Sequence, residues 1–145
     1  MLSIAALLTY FSASTQKRLI LFNADSGEIY AEFQVEEGQR FSITFIHSVN
    51  KTPVTDVYEI RGGEIYVVET RYYSFGAGVQ TEIEEGQTLT YAEDGAMVVS
   101  GIDRLMSGMI YVVGKIYDHR LEINGSVYSL TELCGKGSPV EFVCR

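Results

Sequence analysis

From residue 19 onward, apolar and polar positions alternate in short runs broken by turn residues. Phe41, Ile43, Phe45 and His47 fall at every second position, and Tyr58 and Ile60 repeat the pattern on the next run. Such alternation sends one set of side chains to each face of a strand. It predicts strands over 19–23, 28–35, 41–47, 55–60, 64–72, 88–92, 96–100, 109–117, 120–124, 126–130 and 140–144. The connections carry turn chemistry, as at Asp25-Ser26-Gly27, Arg61-Gly62-Gly63, Glu93-Asp94-Gly95 and Asn124-Gly125. A helical period persists nowhere, although 129–133 suits one helical turn and 102–108 suits a bend around Gly101 and Gly108. The fold class expected is all-β, an antiparallel sandwich or a partly closed barrel of about ten short strands, both of which limit exposed edges. Residues 15–145 read as a single β domain.

The amino end differs. Residues 2–14 carry no charge and are followed by Lys17-Arg18. An apolar signal core runs to ~7–15 residues, whereas a membrane span needs about 20. Residues 1–14 therefore read as an export or membrane-anchor segment, although the basic stretch that normally precedes such a core is missing. The alternative is an intracellular first element of the domain.

Composition narrows the function classes. The 145 residues hold 11 Lys+Arg against 19 Asp+Glu, a net charge of −8, which disfavours a general binder of phosphate backbones, so no nucleic-acid partner is expected. Ten Tyr and seven Phe with only two Pro argue for a packed domain. Cys134 and Cys144 flank a Gly/Pro turn. In an exported chain they suit one disulfide closing the carboxyl end, and otherwise two buried thiols. Their spacing fits no metal template, and no cofactor is expected.

One stretch departs from hairpin logic: His47-Ser48-Val49-Asn50-Lys51-Thr52-Pro53-Val54, leading to Asp56. Alternation turns His47 inward and carries Asp56 onto the inner face with Tyr58 and Ile60, so the two are expected to meet at one mouth of the sheet. An imidazole beside a carboxylate serves either a structural hydrogen bond or ligand binding. Ser48, Asn50 and Thr52 add polar groups, and Lys51 adds a cation suited to a carboxylate ligand or an acidic partner. A second departure is Ser74-Phe75-Gly76-Ala77-Gly78-Val79-Gln80. Its Gly76 and Gly78 lack the third glycine and the helix of a dinucleotide loop; they suit close backbone approach, with Phe75 as an apolar anchor. The chain shows no nucleophile elbow and no Cys/His pair with an orienting group, so no catalytic residue is assigned.

On these two stretches, with the preceding Glu69-Thr70, the sequence resembles a family of small uncharacterised bacterial proteins, a domain of unknown function often encoded beside the membrane subunits of TAXI-type TRAP transporters. The resemblance covers nearly the whole chain. Asp56 stands where an acidic residue commonly follows the His-Ser loop, and Gln80 stands where the second loop usually has proline. The resemblance implies an extracytoplasmic accessory protein of a solute-uptake system whose own biochemical activity is unknown; with no catalytic residue assigned, the chain is read as a non-enzymatic domain that meets the transporter membrane subunit or the solute receptor. It also leaves open binding of a small organic anion by the domain itself, with Lys51 and His47 as contacts.

Overall fold

A computed structural model of the chain describes residues 16–75 and 82–145. The expected export segment, Gly76 and Gly78 lie outside the described residues. The strands are β1 (Lys17–Asn23), β2 (Ile29–Val35), β3 (Arg40–Ile46), β4 (Pro53–Arg61), β5 (Glu64–Tyr72), β6 (Thr88–Tyr91), β7 (Met97–Leu105), β8 (Met109–Val112), β9 (Arg120–Ile123), β10 (Ser126–Ser129) and β11 (Pro139–Cys144), with one short helix, α1 (Leu130–Cys134), before the last. Ser129 caps that helix by accepting from the Glu132 amide at 3.1 Å, as a serine ahead of a helical turn commonly does.

The strands form two antiparallel sheets, a smaller one ordered β2-β1-β11-β8 and a larger one ordered β10-β9-β3-β4-β5-β7-β6. The sheets stay separate, so the sandwich alternative holds and the barrel does not. Their facing sides make the core. Leu19, Leu21, Val140 and Phe142 come from the smaller sheet, while Ile43, Tyr58, Ile60, Leu121 and Val99 come from the larger, all at most 2 % exposed. Each fully buried large apolar side chain contributes roughly 1.5–3 kcal/mol against its exposed state. Phe41 joins the layers, stacking on Tyr58 at 5.1 Å and facing Phe142 at 6.3 Å between ring centroids.

Two predicted boundaries shift for local reasons. β7 does not bend away at Gly101 but continues to Leu105, because a bulge in the β5–β7 ladder absorbs the irregularity. Gly101 has φ 77°, and a Cβ there would stand 2.5 Å from the Gly86 carbonyl oxygen, so glycine is required. β8 stops at Val112, short of Tyr117. Beyond it the Gly137 amide donates to the Val113 carbonyl at 2.9 Å, and the chain folds back at Gly114. A Cβ on Gly114 would lie 1.9 Å from the Tyr117 carbonyl oxygen, which shows how tightly the 114–119 loop closes.

The disulfide expectation is corrected. Cys134 and Cys144 are buried free thiols. Ser138 Oγ donates to the Cys134 carbonyl at 2.6 Å, fixing that cysteine near the start of β11, whereas Cys144 pairs with Leu19 at the strand's far end. Five residues of strand from Pro139 to Cys144 span about 16 Å. A disulfide needs Cα atoms about 4.4–6.8 Å apart. The Gly/Pro turn folds the chain into the sheet but carries Cys144 away from Cys134. Burial pushes the Cys134 thiol up to about 11.

Candidate functional site

The β3–β4 connection closes as a four-residue hairpin loop: the His47 amide donates to the Thr52 carbonyl and the Lys51 amide to the His47 carbonyl, each at 2.9 Å. Lys51 takes the left-handed conformation, φ 56°, that ends such a loop. This conformation disfavours side chains with a Cβ, so lysine here is held against its local preference. The buried His47 ring points under the loop, where Nδ1 accepts from the Val49 and Asn50 amides, each at 3.3 Å. These contacts make Nδ1 the acceptor and leave the proton of the neutral ring on Nε2.

Hairpin closure also sets the register. Ile46 opposes Pro53, and Asp56 therefore opposes Ile43, four residues before His47. His47 and Asp56 share the inner face as expected, but about 13 Å of strand separates their positions. The expected meeting at the mouth of the sheet does not occur. Alternation fixes the face of a residue, and only the loop length fixes what stands opposite it.

Asp56 instead completes an inner row running Leu121, Ile43, Asp56, Thr70 and Val99 across the larger sheet. Thr70 Oγ1 donates to Asp56 Oδ1 at 2.7 Å and Tyr111 Oη to Oδ2 at 3.3 Å, whereas Tyr58 Oη lies 3.5 Å from Oδ2, at the limit of a useful bond, and its single proton is better placed to go to Tyr111 Oη. The two tyrosine oxygens lie 2.7 Å apart. Burial raises the Asp56 carboxyl above the ordinary carboxylate range, opposed by these hydrogen bonds and by the charge of Arg104. The same burial pushes both tyrosine hydroxyls upward, so they remain protonated donors.

The motif loops do come together. Asn50 Nδ2 donates to the Phe75 carbonyl at 3.2 Å, and Thr52 Oγ1 lies 3.3 Å from Ser74 Oγ. Ser48 is exposed beside them. The 114–119 loop joins this end of the sandwich, with Lys51 Nζ 5.6 Å above the Tyr117 ring. Behind it His119 packs against Phe45 and Tyr111 at centroid distances of 5.8 and 6.1 Å. Burial lowers the His119 pKa, and its Nδ1 is buried without a hydrogen-bond partner among the described residues. Of the sequence candidates, Asn50, Lys51, Thr52 and Phe75 thus share one surface, His47 supports it from below, and Asp56 lies half-buried on the inner face, away from that surface. Alternation puts Tyr58 on the inner face, but the roles of Thr70, Tyr111, Tyr117 and His119 were missed: they come from contacts between separate strands and loops, about which strand alternation carries no signal.

Among the described residues no group of three or more His, Cys, Asp or Glu is placed to hold a metal ion.

No curated protein matches the chain, and no solved structure does. A family model for a domain of unknown function, DUF1850, matches residues 41–130, from β3 to the start of α1, and so takes in both motif loops, the Asp56 row and the 114–119 loop. Covering more than half of the chain, this match makes it a member of the DUF1850 family.

Proposed function

We propose that the chain is a non-enzymatic, extracytoplasmic accessory protein of a TAXI-type TRAP solute-uptake system, and that it meets the transporter membrane subunit or the solute receptor through the loop end of the sandwich. The observation that carries this reading is the junction of the two motif loops, where Asn50 Nδ2 meets the Phe75 carbonyl. It joins stretches 25 residues apart into one surface with Val49 and Phe75 exposed at 69 and 52 %. Exposed apolar side chains around a lysine held in a disfavoured backbone conformation suit contact with a partner better than they serve the fold. The family resemblance supplies the transport setting. Deleting the gene should lower solute uptake while the transporter subunits stay at normal abundance; unchanged uptake would contradict the reading.

Binding of a small organic anion by the domain itself is the second reading, favoured by Lys51 standing outside the ion pairs among the described residues. A dicarboxylate present at about 100 times its Kd would add ~2.7 kcal/mol of stability, seen as a melting shift.

A further inference from the structure

The chain has four lysines, and three of them, Lys51, Lys115 and Lys136, stand on adjoining loops at one end of the sandwich. Lys51 lies over Tyr117, and the Lys115 side chain runs along Gly137, where a Cβ would come 3.0 Å from Lys115 Cε. Among the described residues the ion pairs engage Lys17, Arg18, Arg40, Arg61 and Arg71, and none of these three lysines. Asp118, the nearest carboxylate in the sequence, is turned to the Thr131 amide at 3.0 Å.

The loops that carry these lysines, with the second motif loop beside them, also hold exposed apolar side chains. Ile116 is 84 % exposed, Val49 69 %, Phe75 52 % and Tyr117 40 %. Ile116 sits between a lysine and a tyrosine at a loop tip, where it adds nothing to the core. Apolar tips flanked by lysine and tyrosine match the chemistry of a bilayer interface: the tips enter the boundary between headgroups and acyl chains, the tyrosine sits at headgroup level, and the ammonium groups meet lipid phosphates. On a chain of net charge −8 these three lysines, outside the ion pairs of the described residues, are the groups through which this end would meet an anionic surface.

We propose that this end of the sandwich docks on an anionic lipid surface, with Val49, Phe75 and Ile116 entering the interface and Lys51, Lys115 and Lys136 meeting phosphate groups. The inference deepens the interaction reading above and rests on it for the choice of surface. It sets the domain against the membrane in which a transporter subunit would lie.

The chain contains no tryptophan, so a single Ile116→Trp substitution in the full chain reports on this loop alone. Vesicles of phosphatidylcholine containing phosphatidylglycerol should shift its emission to the blue, and brominated acyl chains should quench it. Phosphatidylcholine alone should do neither. Each Lys→Gln change at 51, 115 or 136 should weaken vesicle binding about fivefold. A Leu105→Trp reporter, at the opposite end of β7, should stay silent. No response at position 116 with anionic vesicles, or an equal response at 105, overturns the proposal. Should position 116 fail to respond while detergent-solubilised transporter subunits are still captured, lipid docking falls and a protein partner for these loops stands. A vesicle response without capture supports lipid docking and counts against the transporter partner.

Discussion

Tyr58 on β4 and Tyr111 on β8 bring their hydroxyl oxygens within 2.7 Å across the gap between the two sheets, above the Asp56 carboxylate that both address. The pair is a polar tie through an otherwise apolar core, and its members depend on one another. Tyr58→Phe and Tyr111→Phe should each lower stability by about 1–1.5 kcal/mol, and the double variant should lose less than their sum, leaving a coupling of about 1 kcal/mol. Denaturant unfolding of the four proteins measures this. Strict additivity would show that the hydroxyl contact contributes nothing.

Asp56 has a definite pH signature. Burial raises its carboxyl in the folded state, so its contribution favours the fold below the unfolded-state value and is lost as pH rises through the folded-state value. Asp56→Asn, which mimics the neutral acid, should therefore gain stability on wild type at neutral pH, by about 1 kcal/mol, and the gain should vanish below the ordinary carboxylate range. Taking the difference between the two proteins cancels oppositely shifted groups such as Asp94, held at about 2 by the Tyr73 hydroxyl, the Ala96 amide and Arg71. An advantage that grows on acidification would reverse the sign and reject the argument.

The strands, and the face on which each candidate side chain lies, were legible in the sequence because alternation is a local property. Phe41, Ile43 and Tyr58 needed no partner to announce an inner face. The distance between His47 and Asp56 was not legible in the same way. It depends on the closure of a four-residue loop, which sets Thr52 opposite His47 and Ile43 opposite Asp56. Tyr111 and Tyr117 were out of reach altogether, because their contacts cross from β8 and its following loop to the larger sheet. Local pattern does not encode which strand of one layer lies over which strand of the other. The cysteines failed for a related reason: a turn between two residues says that the chain reverses, not how far the next strand then travels.

Lys51 tests whether its strain is kept for use. Lys51→Gly removes the Cβ from a left-handed position and should leave the domain as stable as wild type, or up to about 1 kcal/mol more so. His47→Ala should cost about 1 kcal/mol, because the Val49 and Asn50 amides lose their acceptor. Thermal melts of the two variants decide the point. A large loss for Lys51→Gly would make the lysine structural.

Gly114→Ala would drive a methyl group into the Tyr117 carbonyl and open the 114–119 loop, at a cost of roughly 1–3 kcal/mol. The same change should move Tyr117 from beneath Lys51. A melt no different from wild type would mean the loop accommodates the methyl without the predicted clash.

If the joined loops are the interaction face, removing their exposed side chains should abolish binding without unfolding the domain. The most direct measurement is capture of the solubilised TRAP subunits by the immobilised full chain, run beside a Val49→Ser/Lys51→Gly/Phe75→Ser variant whose melting temperature is shown to match wild type. Wild type should retain a subunit, and the folded variant should lose most of that capture. Equal capture by the two, or none by wild type, would contradict this role for the loops.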